Sequence, residues 1–376
     1  MSSLPSSSPQ DIRLLKEYIS KFALRPNYLF YKGKALVSTF AGENSLFGCD
    51  DIDSAWTLVK RILEEVCPVI FVPSFFVDPR RLHSMKCIDG AFNWNGSWPI
   101  QLSSNSPKGE LPFPRLMSDV EYIRNIYGKT LMTSVSPWFF THYGEDSWNK
   151  NWIYRCDDWL LVRRWEQMIA IRDLVDIVQI ISWNDYGESH YVGPIKGAQP
   201  NSEAWVNGFD HTAWLHLCGY FSRLFKKPET LTTNPISLLD DVDRVFVWAR
   251  PHPRDAKASE DPVGRPKNWD LTEDMFWVVI LAHAPAHVLL WSSNTDTNTC
   301  SPLVRSTVVG ENLEMEEDRI PAGLTQLSCP LVKNGGINVQ LIRGGRIVLH
   351  FHPVDFVFEA HPKKYNFNAY VAMYPC

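Results

Sequence analysis

The sequence predicts an α/β chain: a (β/α) TIM-type barrel over residues 1–239, followed by an antiparallel β-sandwich over 240–376. Three observations carry this. Short apolar runs alternate with amphipathic helical patterns up to about residue 225, as in a parallel sheet with helical crossovers. From Asp240 onward the texture changes to short β-rich runs separated by Gly, Pro, Asn and Asp. A chain of 376 residues also has room for a barrel of about 250 residues and a smaller domain.

In chain order, Pro9 to Ala23 reads as a helix behind a Ser8 cap, with Ile12, Leu15, Tyr18, Ile19 and Phe22 at helical spacing. Tyr28 to Tyr31 reads as extended, and the strands expected before Asp210 are 34–40, 69–76, 87–94, 130–138 and 177–185. Helices are expected from about Asp53 to Val66, near Ser118 to Tyr127, over most of Trp152 to Asp173, and from Asp210 to Phe225. The stretch from Gln101 to Pro114, rich in Ser and Pro, reads as a surface loop. The second half carries RVFVWARP, MFWVVILA, AHVLLWSS, NVQLIRG, GRIVLHFH and FNAYVAMY as strands, with 250–267 an exposed connection. Trp248, Trp269, Trp277 and Trp291 offer rings for carbohydrate there, but core or interdomain packing is the ordinary fate of such rings, and the domain is read as structural.

Composition narrows the function. A net charge of -5 with scattered Lys and Arg leaves no basic stripe for phosphates, which argues against nucleic acid. No apolar run has the length of a membrane span, and MSSLPSSSPQ lacks the features of a signal peptide. The 15 Trp, 13 Tyr and 20 Phe suit a neutral ligand with apolar C–H faces, although most will fill a core. The eight Cys show no C-x-x-C pairing, so neither a zinc site nor a redox motif is expected; Cys67 and Cys87 read as buried thiols, and Cys300, Cys329 and Cys376 are free to pair in a secreted protein. No metal or cofactor is expected.

The chain is organised around VDIVQIISWNDYGESHYV, residues 175–192. An apolar strand stops at Trp183, Asn184, Asp185, Tyr186, Gly187, Glu188, Ser189, His190 and Tyr191. In barrels the C-terminal strand ends are where chemistry collects. Asp185 and Glu188 are therefore assigned as a carboxylic acid pair that cleaves a sugar polymer. Other runs end similarly, at Glu43, at Ser74 with Phe75, at Asp89 with Trp94, and at Trp138 with His142, as if around the rim of one cleft.

Several blocks add a resemblance. DGAFNWNGSWP at 89–99, SVSPWFFTHYGEDSWNKNWIYRCDD at 134–158, SWNDYGESHYVGP at 182–194 and WVNGFDHTAW at 205–214 resemble glycoside hydrolase family 71, the fungal α-1,3-glucanases or mutanases. VSTFAGE, IFVPSFF and VWARPHPRDA extend the likeness over nearly the whole chain. The resemblance implies a barrel followed by a β-rich domain, endo-hydrolysis of cell-wall α-1,3-glucan with inversion, and an extracellular or cell-wall location. The family's functional Asp and Glu fall on Asp185 and Glu188. Against its eight-stranded barrel this chain shows five strands, with MSSLP like the tail of the third. The barrel is thus expected to be incomplete, and the chain as written poorly soluble and nearly inactive; a complete barrel would be monomeric.

Glycosidic cleavage needs an acid to protonate the leaving oxygen and a carboxylate to activate water or attack the sugar. Spacing in sequence leaves inversion and double displacement open, so inversion rests on the resemblance. Glu188 is assigned the acid role and Asp185 the base role. Asp89, Trp94, Trp138, His142, Tyr143, Trp183, Asn184, Tyr186, His190 and Tyr191 are substrate-binding candidates, each also readable as a cap, a packing ring or a satisfied polar group. Asn95 to Ser97 forms a glycosylation acceptor, and HFH at 350–352 a poor metal site. Two alternatives to the hydrolase stand: an inactive glucan-binding homologue, and a carbohydrase of different linkage specificity.

Overall fold

The computed structural model of the protein describes residues 4–111, 114, 116–197, 199–226, 241–294, 299–300, 304–305 and 319–375. The fold is mixed α/β and divides into two compact units: Met1–Ser97 with Leu116–Val135 and Ala170–Gln179, and Trp98–Arg115 with Ser136–Ile169 and Ile180–Cys376. The boundary expected at 239–240 involves residue 240 and its neighbours from 227, outside the described residues.

The first unit is built on parallel strands. Ser8 closes a 3-10 turn (Pro9–Asp11), its N–H donating to Asp11 Oδ2 at 2.9 Å, ahead of helix α1 (Ile12–Phe22). Strand β1 (Phe30–Tyr31) pairs antiparallel with β2 (Lys34–Val37), and β2 pairs parallel with β3 (Val69–Phe71). Backbone bonds from Asp89 N–H to Phe71 O and from Phe92 N–H to Pro73 O, both 2.9 Å, stitch β3 to β4 (Gly90–Asn93). Strand β4 pairs parallel with β5 (Thr130–Val135). After β6 (Phe140–His142) and β7 (Asn151–Ile153), which belong to the other unit, β8 (Ile177–Ile180) lies beside β5. All five apolar runs thus contain strands, laid side by side in sequence order. Every residue of β3, β4 and β5 is buried, as expected of strands covered on both faces.

Helix α2 (Ile52–Glu64) shows why the local sequence folds as it does. Asp51 caps it by accepting from Ser54 N–H at 2.9 Å, and Ala55, Trp56, Val59 and Leu63 form its buried stripe. Trp56 stacks on Phe71 with centroids 4.9 Å apart. Gly90 is required where β4 meets β5, because a Cβ there would lie 2.2 Å from Thr130 O. Helix α3 (Ser118–Asn125) completes the unit, with its buried Asp119 accepting from Asn93 Nδ2 at 2.8 Å and Thr133 Oγ1 at 2.7 Å. The glycosylation acceptor fares poorly: Trp94–Ser97 is a 3-10 turn in which Ser97 is fully buried.

The second unit holds the hairpin β6–β7, helices α4 (Leu160–Ala170), α5 (Glu203–Val206) and α6 (Thr212–Lys226), and two antiparallel sheets. Their strands are β9 (Arg244–Ala249), β10 (Met275–Ala282), β11 (Ala286–Asn294), β12 (Thr299–Cys300), β13 (Val304–Arg305), β14 (Arg319–Ile320), β15 (Gly323–Pro330), β16 (Gly336–Arg343), β17 (Arg346–Phe351) and β18 (Tyr370–Tyr374). One sheet runs β15-β10-β9-β18; the other runs β12-β11-β16-β17, with β13 and β14 also on β11. Val247, Val278 and Ile280 of the first share one apolar core with Val288, Leu290, Val339 and Leu341 of the second. In β11 burial alternates, whereas β10 is buried along nearly its whole length, so β10 is covered on both faces.

Three expectations change. Trp152 to Asp173 is helical only over α4, because its start is β7 and a buried ionic turn. There Arg155 pairs with Asp157 and reaches Glu273 at 3.1 Å, while Asp158 caps α4 by accepting from Leu160 N–H at 2.9 Å. The 250–267 connection is not exposed at its start: Arg250 and His252 are buried, with Arg250 Nε donating to His252 O and His252 Nε2 accepting from Asn366 N–H. Trp248 and Trp277 are buried too, Trp248 donating to Asp157 O and Trp277 packing edge-on against Trp159, which leaves neither ring to a ligand. Strand β15 lies in a stretch for which no strand was expected. Pairing of Cys300 or Cys376 falls outside the described side chains, while Cys87 is buried, its thiol pushed up by that burial.

Candidate active site

The loop after β8 is closed on itself by its backbone. Ser182 N–H donates to His190 O at 2.6 Å, Val192 N–H to Ser182 O at 2.9 Å, and Gly193 N–H to Trp183 O at 2.9 Å. Inside this clasp short polar side chains do the folding. Ser182 Oγ accepts from Asp185 N–H at 2.9 Å, and Asp185 Oδ1 accepts from Glu188 N–H at 3.1 Å. Tyr186 is buried; its hydroxyl lies 3.0 Å from Pro194 O and accepts from Lys196 N–H at 2.9 Å. Gly187 passes so close to Tyr143 that a Cβ would stand 2.4 Å from the phenol oxygen. The hairpin β6–β7 braces the loop from outside through Phe140 N–H, which donates to Glu188 O at 3.1 Å.

The loop brings two carboxylates and an imidazole together. Nitrogen and oxygen atoms of Asp185, Glu188 and His190 lie within 4.8 Å of one another, the one such set among the described residues with spacing fit for a cation. His190 Nε2 is 3.1 Å from Glu188 Oε2 and 3.6 Å from Asp185 Oδ2. The imidazole is fully buried, packed against Trp98 and Phe139, whereas the Asp185 side chain is 43% exposed and that of Glu188 26%. Lys150 Nζ stands 3.3 Å from Glu188 Oε1.

These surroundings push the two carboxyls apart. Burial raises Asp185, and the Glu188 charge adds to that against the pull of His190. Burial also works to raise Glu188, but hydrogen bonds and charge from His190 and Lys150 outweigh it and hold the carboxyl below its ordinary value. Burial and the neighbouring Asp185 lift the Tyr143 phenol to about 12, and its hydroxyl donates to Pro200 O at 2.8 Å.

The remaining sequence candidates separate. Trp183 and Asn184 are exposed on the same loop as the pair. Asp89 and Trp94 belong to the first unit: Asp89 pairs with Lys60 at 2.7 Å and accepts from Phe71 N–H at 2.8 Å, tying strands, and Trp94 packs against Phe40 and Phe92. Trp138 is buried and donates to Phe367 O at 2.7 Å, so it packs rather than forming a sugar platform. His142 is buried between Asn151 Oδ1 (2.8 Å) and Asp261 Oδ2 (2.9 Å). Tyr191 is fully buried and stacks on His211 at 4.0 Å. In HFH, His350 stacks on Trp291 while His352 bonds Ile337 O, which does not gather a metal site. Lys150 went unnoticed in the sequence, since only the turn of the β6–β7 hairpin carries it to Glu188.

Paired carboxylates on one turn at the end of a strand are the equipment of a glycoside hydrolase. The chain belongs to glycosyl hydrolase family 71, whose family model matches residues 4–375. It is 32% identical over 366 residues to a glucan endo-1,3-alpha-glucosidase of Schizosaccharomyces pombe, covering 96% of this chain and 76% of that protein. It is 31% identical over 288 residues to a mutanase of Penicillium rubens, covering 76% of this chain and 58% of that one. An ascus wall endo-1,3-alpha-glucanase of Schizosaccharomyces pombe is 27% identical over 385 residues, covering 98% of this chain and 79% of the relative. Among solved structures, the GH99 endo-alpha-mannosidase of Bacteroides thetaiotaomicron matches with a TM-score of 0.38 and 16% identity, over 60% of this chain and 64% of that one.

Proposed function

We propose that this protein hydrolyses α-1,3-glucan, with Asp185 as the acid that protonates the leaving oxygen and Glu188 as the base that activates water. The observation that carries this is geometric: each carboxylate oxygen of Glu188 has a nitrogen partner, Lys150 at 3.3 Å and His190 at 3.1 Å, as suits an ionised base, whereas Asp185 has His190 only at 3.6 Å; burial raising Asp185 and the two nitrogens lowering Glu188 agree with it. An acid has to stay protonated and a base ionised at the same pH, and environments that split two carboxyls assign those parts. The order is the reverse of the one expected from the sequence, where nothing distinguished the two groups. The substrate follows from membership of the family together with the relatives whose names specify 1,3-alpha-glucan cleavage.

Inversion leaves about 6.5–9.5 Å between the carboxyl groups for the attacking water, and double displacement about 5–5.5 Å. One oxygen of each carboxylate lies within 4.8 Å of one of the other. Our reading keeps inversion, which the family resemblance implies, with Glu188 taking a proton from the attacking water while Asp185 gives one to the leaving oxygen. In the same reading the parallel strands are a wall of a (β/α)8-type barrel and the two antiparallel sheets a β-sandwich.

The test is release of reducing sugar from insoluble α-1,3-glucan by the wild type, Asp185→Asn and Glu188→Gln. Each variant should lose at least about a thousandfold in kcat. Wild-type turnover in both removes the assignment, and polymer binding without release by the wild type would make the protein a glucan binder. A panel of α-1,3-, α-1,4- and β-1,3-glucans tests the linkage. Proton NMR of the fresh product should show the β-anomer first; the α-anomer would instead mean double displacement, with Glu188 attacking the sugar directly.

A further inference from the structure

We propose that Lys150 is a positioning residue for Glu188, fixing the plane of its carboxylate from the side opposite His190. The inference rests on the reading of Asp185 and Glu188 as the reacting pair. Lys150 precedes Asn151 in a turn whose place is set by the β6–β7 register, Phe140 opposite Ile153, Thr141 opposite Trp152 and His142 opposite Asn151. Tyr143 N–H donates to Lys150 O at 2.6 Å at the mouth of that turn. The hairpin therefore holds Glu188 twice, through Phe140 N–H on its carbonyl at 3.1 Å and through Lys150 Nζ on Oε1 at 3.3 Å. His190 engages the other oxygen, Oε2, at 3.1 Å. With a separate nitrogen partner on each oxygen, the carboxylate cannot rotate without giving up a contact.

Among the described residues, the charged and titratable groups that face Glu188 are Asp185 and His190 from its own loop, Tyr143 and Lys150 from the hairpin, and Tyr154 from the segment after β7. The Glu188 charge opposes ionisation of Asp185, and the two phenols are raised chiefly by burial. The nitrogen partners on the Glu188 carboxylate oxygens are His190 and Lys150. His190 sits between both carboxylates, whereas Lys150 bonds Glu188 directly and reaches Asp185 only through its charge, so its effect falls mainly on Glu188. Its side chain is 44% exposed, which lets it leave Glu188 when the base has to turn toward water and substrate.

The experiment measures kcat/KM on soluble α-1,3-linked glucose oligosaccharides across the pH range for the full chain, Lys150→Met and Lys150→Arg, beside Asp185→Asn and Glu188→Gln. Loss of the ammonium should raise the acidic limb of the profile by about half a pH unit, the size expected of a half-exposed ion pair. Lys150→Arg should bring the limb back, and KM should change little. A merely structural lysine would lower activity evenly at every pH, and an unmoved limb in Lys150→Met overturns the proposal. Should Lys150→Met fail to fold, Lys150→Gln carries the same measurement. Full turnover in Asp185→Asn and Glu188→Gln would instead remove the reading of the pair, and the role of Lys150 with it.

Discussion

In the role proposed for Asp185, the requirement of catalysis works against the fold. Its carboxyl is raised in the folded chain, chiefly by burial, so the native state holds a proton more tightly than the unfolded one. Its contribution to stability is present below the unfolded value and is lost as pH rises through the folded one. Glu188 behaves oppositely: lowered in the folded chain, it contributes stability above its unfolded value, lost as pH falls through the folded one. Asp185→Asn keeps an oxygen for Glu188 N–H and removes a group whose ionisation the fold disfavours. Its melting midpoint at neutral pH should therefore exceed that of the wild type, by no more than about 2 °C given the side chain's 43% exposure, with no gain near pH 3. Calorimetry at the two pH values decides; a lower neutral midpoint would mean that burial is not what raises Asp185. That two acids close a strand in a dense polar cluster was legible in the sequence, and the structure brings them together on one loop. The order we propose for them was not legible, because it rests on Lys150 and the buried His190, partners that sequence spacing does not bring together.

The element that makes the site is the 182–193 clasp, and Gly187 is its tightest point. A Cβ at Gly187 would meet Tyr143 Oη at 2.4 Å and the ring carbon behind it only at 3.3 Å, so the clash is with the hydroxyl. Gly187→Ala should displace the turn between Asp185 and Glu188 and lower kcat by about a hundredfold, the cost of a misplacement near 1 Å. Adding Tyr143→Phe, which deletes the hydroxyl, should recover at least about tenfold, and a double variant no better than Gly187→Ala would show that the tyrosine is not the obstacle. At this scale the sequence was readable where one period ran uninterrupted. The five strands of the first unit that follow its apolar runs stood out as such, β3, β4 and β5 being buried throughout, and β10 and β11 as β-rich runs. The β6–β7 hairpin was hidden inside SPWFFTHYGEDSWNKNW, where polar and aromatic residues mix without alternation, and the helix expected from Trp152 lost its start to the ionic turn at Arg155. Trp138 and Tyr191 looked like ligand rings because nothing local reveals that Phe367 and His211 cover them.

Among the described residues of the whole molecule, large exposed apolar side chains occur in both units, and several of those in the first unit lie close together. Tyr18, Phe22, Leu24, Leu29, Phe30, Phe40 and Phe76 are all exposed there, Leu24 to 87%. They are grouped rather than scattered: Tyr18 stacks with Phe22, Tyr28 meets Phe30, and Phe40 meets Phe76. Between them lies a cavity of about 400 Å³ lined by Leu15, Tyr18, Ile19, Tyr28, Leu36 and Phe40. Single exposed apolar residues are ordinary, whereas grouped ones around a hollow bind apolar probes. The intact native chain should therefore enhance ANS fluorescence while its near-UV circular dichroism shows fixed tertiary packing, a combination that separates an apolar face from a molten state. Tyr18→Asp with Leu29→Asp should reduce that fluorescence by half or more. Val354→Asp, at an exposed position of the second unit beside a different cavity, should lower it much less. A native chain that leaves the dye dark, or a signal equal in all three proteins, would show that this face is closed to small apolar molecules and that the poor solubility expected from the sequence has no source in it.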